Sequence, residues 1–79
     1  MAYLTISEVV NVTFDKIPKI VTWRNREIKI QKIGLHHTYE KGEILYHVFS
    51  VVSDTLFMKL ELNTKNLIWK LEQISEYGI

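Results

Sequence analysis

The residues richest in possible chemistry lie in one stretch, "GLHHTYEKGEILYHVFSV", from Gly34 to Val51. His36 and His37 are adjacent, His47 follows one turn signal later, and Glu40 and Glu43 lie between. Imidazole nitrogens with a carboxylate oxygen make a plausible zinc set. In an extended segment, however, neighbouring side chains point to opposite faces, so His36 and His37 do not easily share one ion in a strand, though a loop could allow it. The spacing matches neither the His-Glu-x-x-His helix nor a zinc finger. The reading is that no metal is held. One histidine is expected to bond a loop carbonyl and the other to face solvent. Acid–base catalysis needs two positioned groups in a cleft, and the chain offers no nucleophile motif. Gly34, Gly42 and Gly78 are too scattered for a phosphate loop. The chain is therefore read as non-enzymatic, with no catalytic residues and no cofactor.

A second group surrounds "WRNREIKIQK". Trp23 with Arg24, Arg26, Lys29 and Lys32 combines a stacking surface with cations able to follow a phosphate backbone. His36, His37 and Tyr39 would extend that surface. Net charge supports it in part. The total is +1, but the cations Lys16, Lys19, Arg24, Arg26, Lys29, Lys32 and Lys41 crowd residues 16–41 against only Glu27 and Glu40. The plainer account is a solvated hairpin with lysines guarding an edge and Trp23 in the core. Single-stranded nucleic acid is the defined ligand this composition favours. Self-association into a homo-oligomer through apolar faces or strand pairing is the alternative.

Alternation supplies the elements that must position these groups. Leu4–Phe14 places Leu4, Ile6, Val10, Val12 and Phe14 on one side, interrupted by Glu8, which suggests a wet end or a bulge. Pro18 should break the chain. Ile20–Trp23 and Glu27–Ile33 read as strands around an "RNRE" turn, with Asn25 accepting the positive φ of a tight hairpin. Ile33 falls out of phase, which suggests a bulge or burial on both faces near Gly34. Leu35–Glu43 reads as loop, with a turn at Tyr39–Gly42. Ile44–Val52 is apolar on both faces, as in a covered central strand. Leu56–Leu62 has Leu56, Met58, Leu60 and Leu62 inward. After "NTKN", Leu67, Trp69 and Leu71 alternate with Lys70 and Glu72 and predict a strand. A short helix from Asn66 to a stop at Gly78 is the alternative.

The expectation is a mostly β protein: one domain over residues 1–79, an antiparallel meander of about six strands, curled or closed into a small open barrel. At 79 residues, about 60–65% of the unfolded surface is buried. There are no cysteines, which excludes disulfides and fits a reducing cytoplasm. No apolar run reaches the roughly 20 residues of a spanning helix, and "MAYLTISEVV" lacks a leader pattern. A soluble, cytoplasmic protein is expected.

The stretch "WRNREIKIQKIGLHHTYEKGEILYHVFSV" followed by "LFMKLELNTKNLIWKLEQI" resembles a family of small uncharacterised bacterial β-domains. The pattern is a tryptophan, a short basic turn, a hairpin, the Gly-Leu-His-His segment and an aromatic-rich closing hairpin, over roughly residues 21–75. More distantly it is similar to β-domains beside DNA-repair polymerase modules, although Asn25 stands where that turn usually carries glycine. The second similarity implies a nucleic-acid context.

Overall fold

The computed structural model describes residues 4–76. They form seven strands: β1 (Leu4–Asp15), β2 (Ile17–Trp23), β3 (Arg26–Lys29), β4 (Lys32–Lys41), β5 (Ile44–Val52), β6 (Leu56–Asn63) and β7 (Ile68–Glu76). All pair antiparallel, in the order β3-β2-β1-β7-β6-β5-β4. Among the described residues no helix is long and apolar enough to cross a membrane.

The sheet curls into a half-barrel because two strands serve both of its walls. The first part of β1 pairs with β7, and the second, from Asn11, pairs with β2. The two ends of the sheet, β3 and β4, are successive pieces of one bent strand. At the bend, the Ile30 N–H donates to Lys19 O and the Gln31 N–H to Val52 O, each at 2.8 Å. The bend is thus bonded to β2 on one side and β5 on the other.

The concave side holds the core. Val10, Val21, Ile28, Phe49, Val51, Met58, Leu60, Trp69, Leu71 and Ile74 form one buried cluster. Inward alternation in Leu56–Leu62 is borne out; in β1 it holds for Ile6, Val10 and Val12, while Leu4 and Phe14 are exposed, and the segment after "NTKN" is a strand. Its turn is built by side chains. Asn63 Oδ1 accepts from the Lys65 and Asn66 N–H groups, and Asn66 Oδ1 from that of Ile68. Gly78, the expected helix stop, lies outside the described residues.

Three expectations are corrected. Residues 35–41, read as loop, belong to β4. The Glu27–Ile33 strand is split at the bend, which together with β4 raises the count from six to seven. Pro18 lies within β2 rather than ending it, because a register shift between Thr13 and Phe14 accommodates it there. The bulge expected near Gly34 is present, as a shift between Ile33 and Leu35. So is one at Glu8: register shifts between Thr5 and Glu8, where Ser7 has φ 52°.

Candidate functional site

The "RNRE" hairpin closes through Arg24 and Asn25, with φ of 50° and 62°. Positive φ at both central residues is the type I′ geometry that matches strand twist. This turn brings Arg24 back over β1. Its Nη2 lies 2.6 Å from Glu8 Oε2, its Nε donates to Oε1 at 3.4 Å, and its guanidinium sits 4.6 Å over the Trp23 ring. Trp23 Nε1 also donates to Glu8 at 3.4 Å. Arg24 holds the Glu8 carboxyl below the usual carboxylate range, and Glu8 raises the Arg24 guanidinium in return. Glu8, which the sequence showed only as an interruption, is therefore the partner of the hairpin tip.

This arrangement divides the predicted basic surface. Trp23 is half-buried, with one ring face under Arg24. Arg26 pairs with Trp23 across the hairpin and shares the side of buried Ile28. Lys29 points to the opposite side, and Lys32 stands at the start of β4. Arg26, Lys29 and Lys32 are exposed. Among the described residues the Arg24–Glu8 contact is the one side-chain ion pair.

The histidines separate as alternation requires. His36 pairs with Phe49 and His37 with Val48, so they face opposite sides. His36 faces inward, its ring stacked on Phe49 at 4.2 Å and beside His47 at 5.0 Å. His36 Nε2 and His47 Nδ1 are 2.7 Å apart, a bond that takes a single proton. The expected loop-carbonyl partner is thus another histidine. Rings continue from Phe49 to Trp69 at 5.7 Å and on to Phe14 at 5.9 Å. Among the described residues no three His, Cys, Asp or Glu side chains gather as a metal set.

β4 is the other distinctive element. It is a terminal strand of the sheet, and among the described residues its backbone lies beside β5 alone. Every residue from Gly34 to Lys41 is exposed. Side chains hold it in place. On the outer face the Tyr39 hydroxyl donates to Glu61 Oε2 at 2.6 Å, and its ring stacks on Tyr46 at 4.9 Å. The bond to Glu61 pushes the Tyr39 hydroxyl pKa up to about 12. The turn after it closes at Gly42 and Glu43, φ 59° and 72°, with Lys41 opposite Ile44. That is three residues beyond the start of the expected Tyr39–Gly42 turn. In a two-residue hairpin the flanking pair is doubly hydrogen-bonded, and bonded pairs alternate from there. Lys41, Tyr39, His37 and Leu35 thus direct their N–H and C=O groups to β5. Glu40, Thr38 and His36 direct theirs to the open edge.

No protein-family model, curated protein or solved structure matches the chain. The resemblance noted over residues 21–75 rests on its motif alone, and the free edge and the divided basic surface carry the functional reading.

Proposed function

We propose that the protein is a non-catalytic assembly module that accepts an extended strand along the outer edge of β4. The observation that carries this is an exposed ten-residue edge strand whose Glu40, Thr38 and His36 backbone groups have no neighbouring strand among the described residues. Such a row is a ready template for strand addition. Proteins usually blunt such edges with proline, a very short strand or a covering loop. Among the described residues β4 has none of these along Leu35–Lys41; its protection is the charge of Lys41 and inward-facing Glu40 and the bulge at Gly34. A cysteine-free chain also suits assembly in a reducing compartment such as the cytoplasm.

The test is direct. A labelled peptide with the β4 sequence, residues 32–41, should bind the protein in a fluorescence-anisotropy titration. Thr38→Pro removes only an outward N–H and should abolish that binding while leaving the thermal midpoint near its original value. Equal peptide binding by both proteins would reject the edge reading.

A second reading keeps single-stranded nucleic acid as a ligand. It is favoured by Arg26, Lys29 and Lys32, which are exposed and outside the Arg24–Glu8 pair. Arg24 and Trp23 contribute less to it, being engaged with Glu8.

A further inference from the structure

We infer that the strand this edge takes is β4 of a second copy, paired antiparallel about a two-fold axis through Thr38. The inference rests on the assembly reading above and adds the partner and the register.

A two-fold axis perpendicular to the sheet pairs residue i with a residue j of the second copy such that both lie on the same face. It must also set outward-directed backbone groups against outward-directed groups. Between the bulge at Gly34 and the turn at Gly42, the outward set is His36, Thr38 and Glu40. An axis at Thr38 uses all three. Thr38 meets Thr38 of the second copy, and His36 meets its Glu40 on both sides of the axis. Shifting the axis to His37 places Glu40 opposite the bulge. Shifting it to Tyr39 places His36 opposite the turn.

Side chains agree with that register. Thr–Thr pairs and opposite-charge or polar pairs are favourable directly across antiparallel strands. His36 uses Nε2 on His47, which leaves Nδ1 for Glu40 of the second copy. Glu40 has no ion pair among the described residues of its own chain. On the outer face His37 meets Tyr39 of the second copy, and exposed Leu35 lies along the alkyl stem of its Lys41. The edge is therefore self-complementary, and the like charges Lys41 and Lys41 of the second copy end far apart.

The chain has no cysteine, so single cysteines report the register cleanly. In a hydrogen-bonded pair the Cα atoms are about 5.5 Å apart, inside the roughly 4.4–6.8 Å range of disulfides. Thr38→Cys should cross-link with itself on mild oxidation. His37→Cys alone should not, because its two copies are out of step. A mixture of His37→Cys and Tyr39→Cys should give the mixed dimer. In sedimentation the unmodified chain should dimerise, and Thr38→Pro should raise the dimer dissociation constant at least about tenfold through lost hydrogen bonds. Thr38→Val keeps the N–H and should associate like the unmodified chain, which controls for folding. If the β4 peptide binds but the chain stays monomeric at millimolar concentration, the second-copy inference fails and the edge reading stands. If the chain dimerises but His37→Cys cross-links with itself as readily as Thr38→Cys, the register fails. If Thr38→Pro dimerises as the unmodified chain does, both fall.

Discussion

Glu8 and Tyr39 each take their behaviour chiefly from one neighbour, Arg24 and Glu61, and the two give pH predictions of opposite sign. The folded pKa of Glu8 lies below the ordinary value of 4.5, chiefly through the Arg24 hydrogen bond. The stability it contributes is present above pH 4.5 and is lost as pH falls through the depressed value. In Arg24→Ala, the Glu8 carboxyl resonance should titrate at higher pH than in the unmodified protein. An unchanged titration would mean that the ion pair does not persist in solution. Tyr39 is raised from 10.0 to about 12, chiefly through Glu61. Its contribution is complete below pH 10 and disappears as pH rises through about 12. Tyr39→Phe should therefore be less stable than the unmodified protein at neutral pH and should lose less on alkaline titration. Equal alkaline loss in both proteins would rule out the Glu61 bond as its source. Leu60 makes the plainer case. It is fully buried mid-strand, so Leu60→Ala should cost about 2–5 kcal/mol in denaturant unfolding. The sequence already placed it on the inward face of Leu56, Met58 and Leu62.

At the scale of elements, legibility follows burial. β1, β5, β6 and β7 each bury at least one side chain, so their composition alternates, or in β5 is apolar on both faces, and their strands were readable. β4 beyond Gly34 buries none. Without a buried side it has no apolar period, and "GLHHTYEK" reads as loop. Its strand form comes from pairing with β5, which no local signal reports. The same blindness displaced the turn: Gly42 was taken as the end of a turn that in fact begins there. The Arg24–Glu8 contact was hidden for a different reason, because it joins residues 16 positions apart through a bulge. The β4–β5 turn gives the element-scale prediction. Glu43 holds φ 72°, where a Cβ costs about 1–2 kcal/mol. Glu43→Gly relieves that strain but loosens the unfolded chain, by about 0.4–1 kcal/mol. The net expected in thermal unfolding is a stabilisation between zero and about 1.6 kcal/mol. A clear loss would mean that the Glu43 side chain makes a contact the turn depends on.

For the whole molecule, the question is which of two surfaces it uses, and salt separates them. Strand pairing through β4 is carried by backbone hydrogen bonds, and His36 with Glu40 of the second copy adds one short-range polar contact. The dimer dissociation constant should then move little between low and moderate salt. Binding of a single strand by Arg26, Lys29 and Lys32 would instead release counterions. With about three phosphates neutralised, the log–log slope against salt would be roughly −2. Lys29→Ala with Lys32→Ala removes two of the three cations and should flatten that slope by about 1.4. Both lysines are exposed, so the double change should leave fold stability nearly unaltered. It should leave the dimer intact as well, because neither residue belongs to the Leu35–Lys41 edge. The measurement is fluorescence anisotropy with a short labelled single strand at two salt concentrations, beside sedimentation of the same protein samples. A dimer indifferent to salt and to the lysine changes, with no strand bound even at low salt, is the outcome the edge predicts. Steep, lysine-dependent binding by a monomer that also fails to take the β4 peptide would transfer the function to the exposed cations Arg26, Lys29 and Lys32, because β4 would then be an edge without a partner.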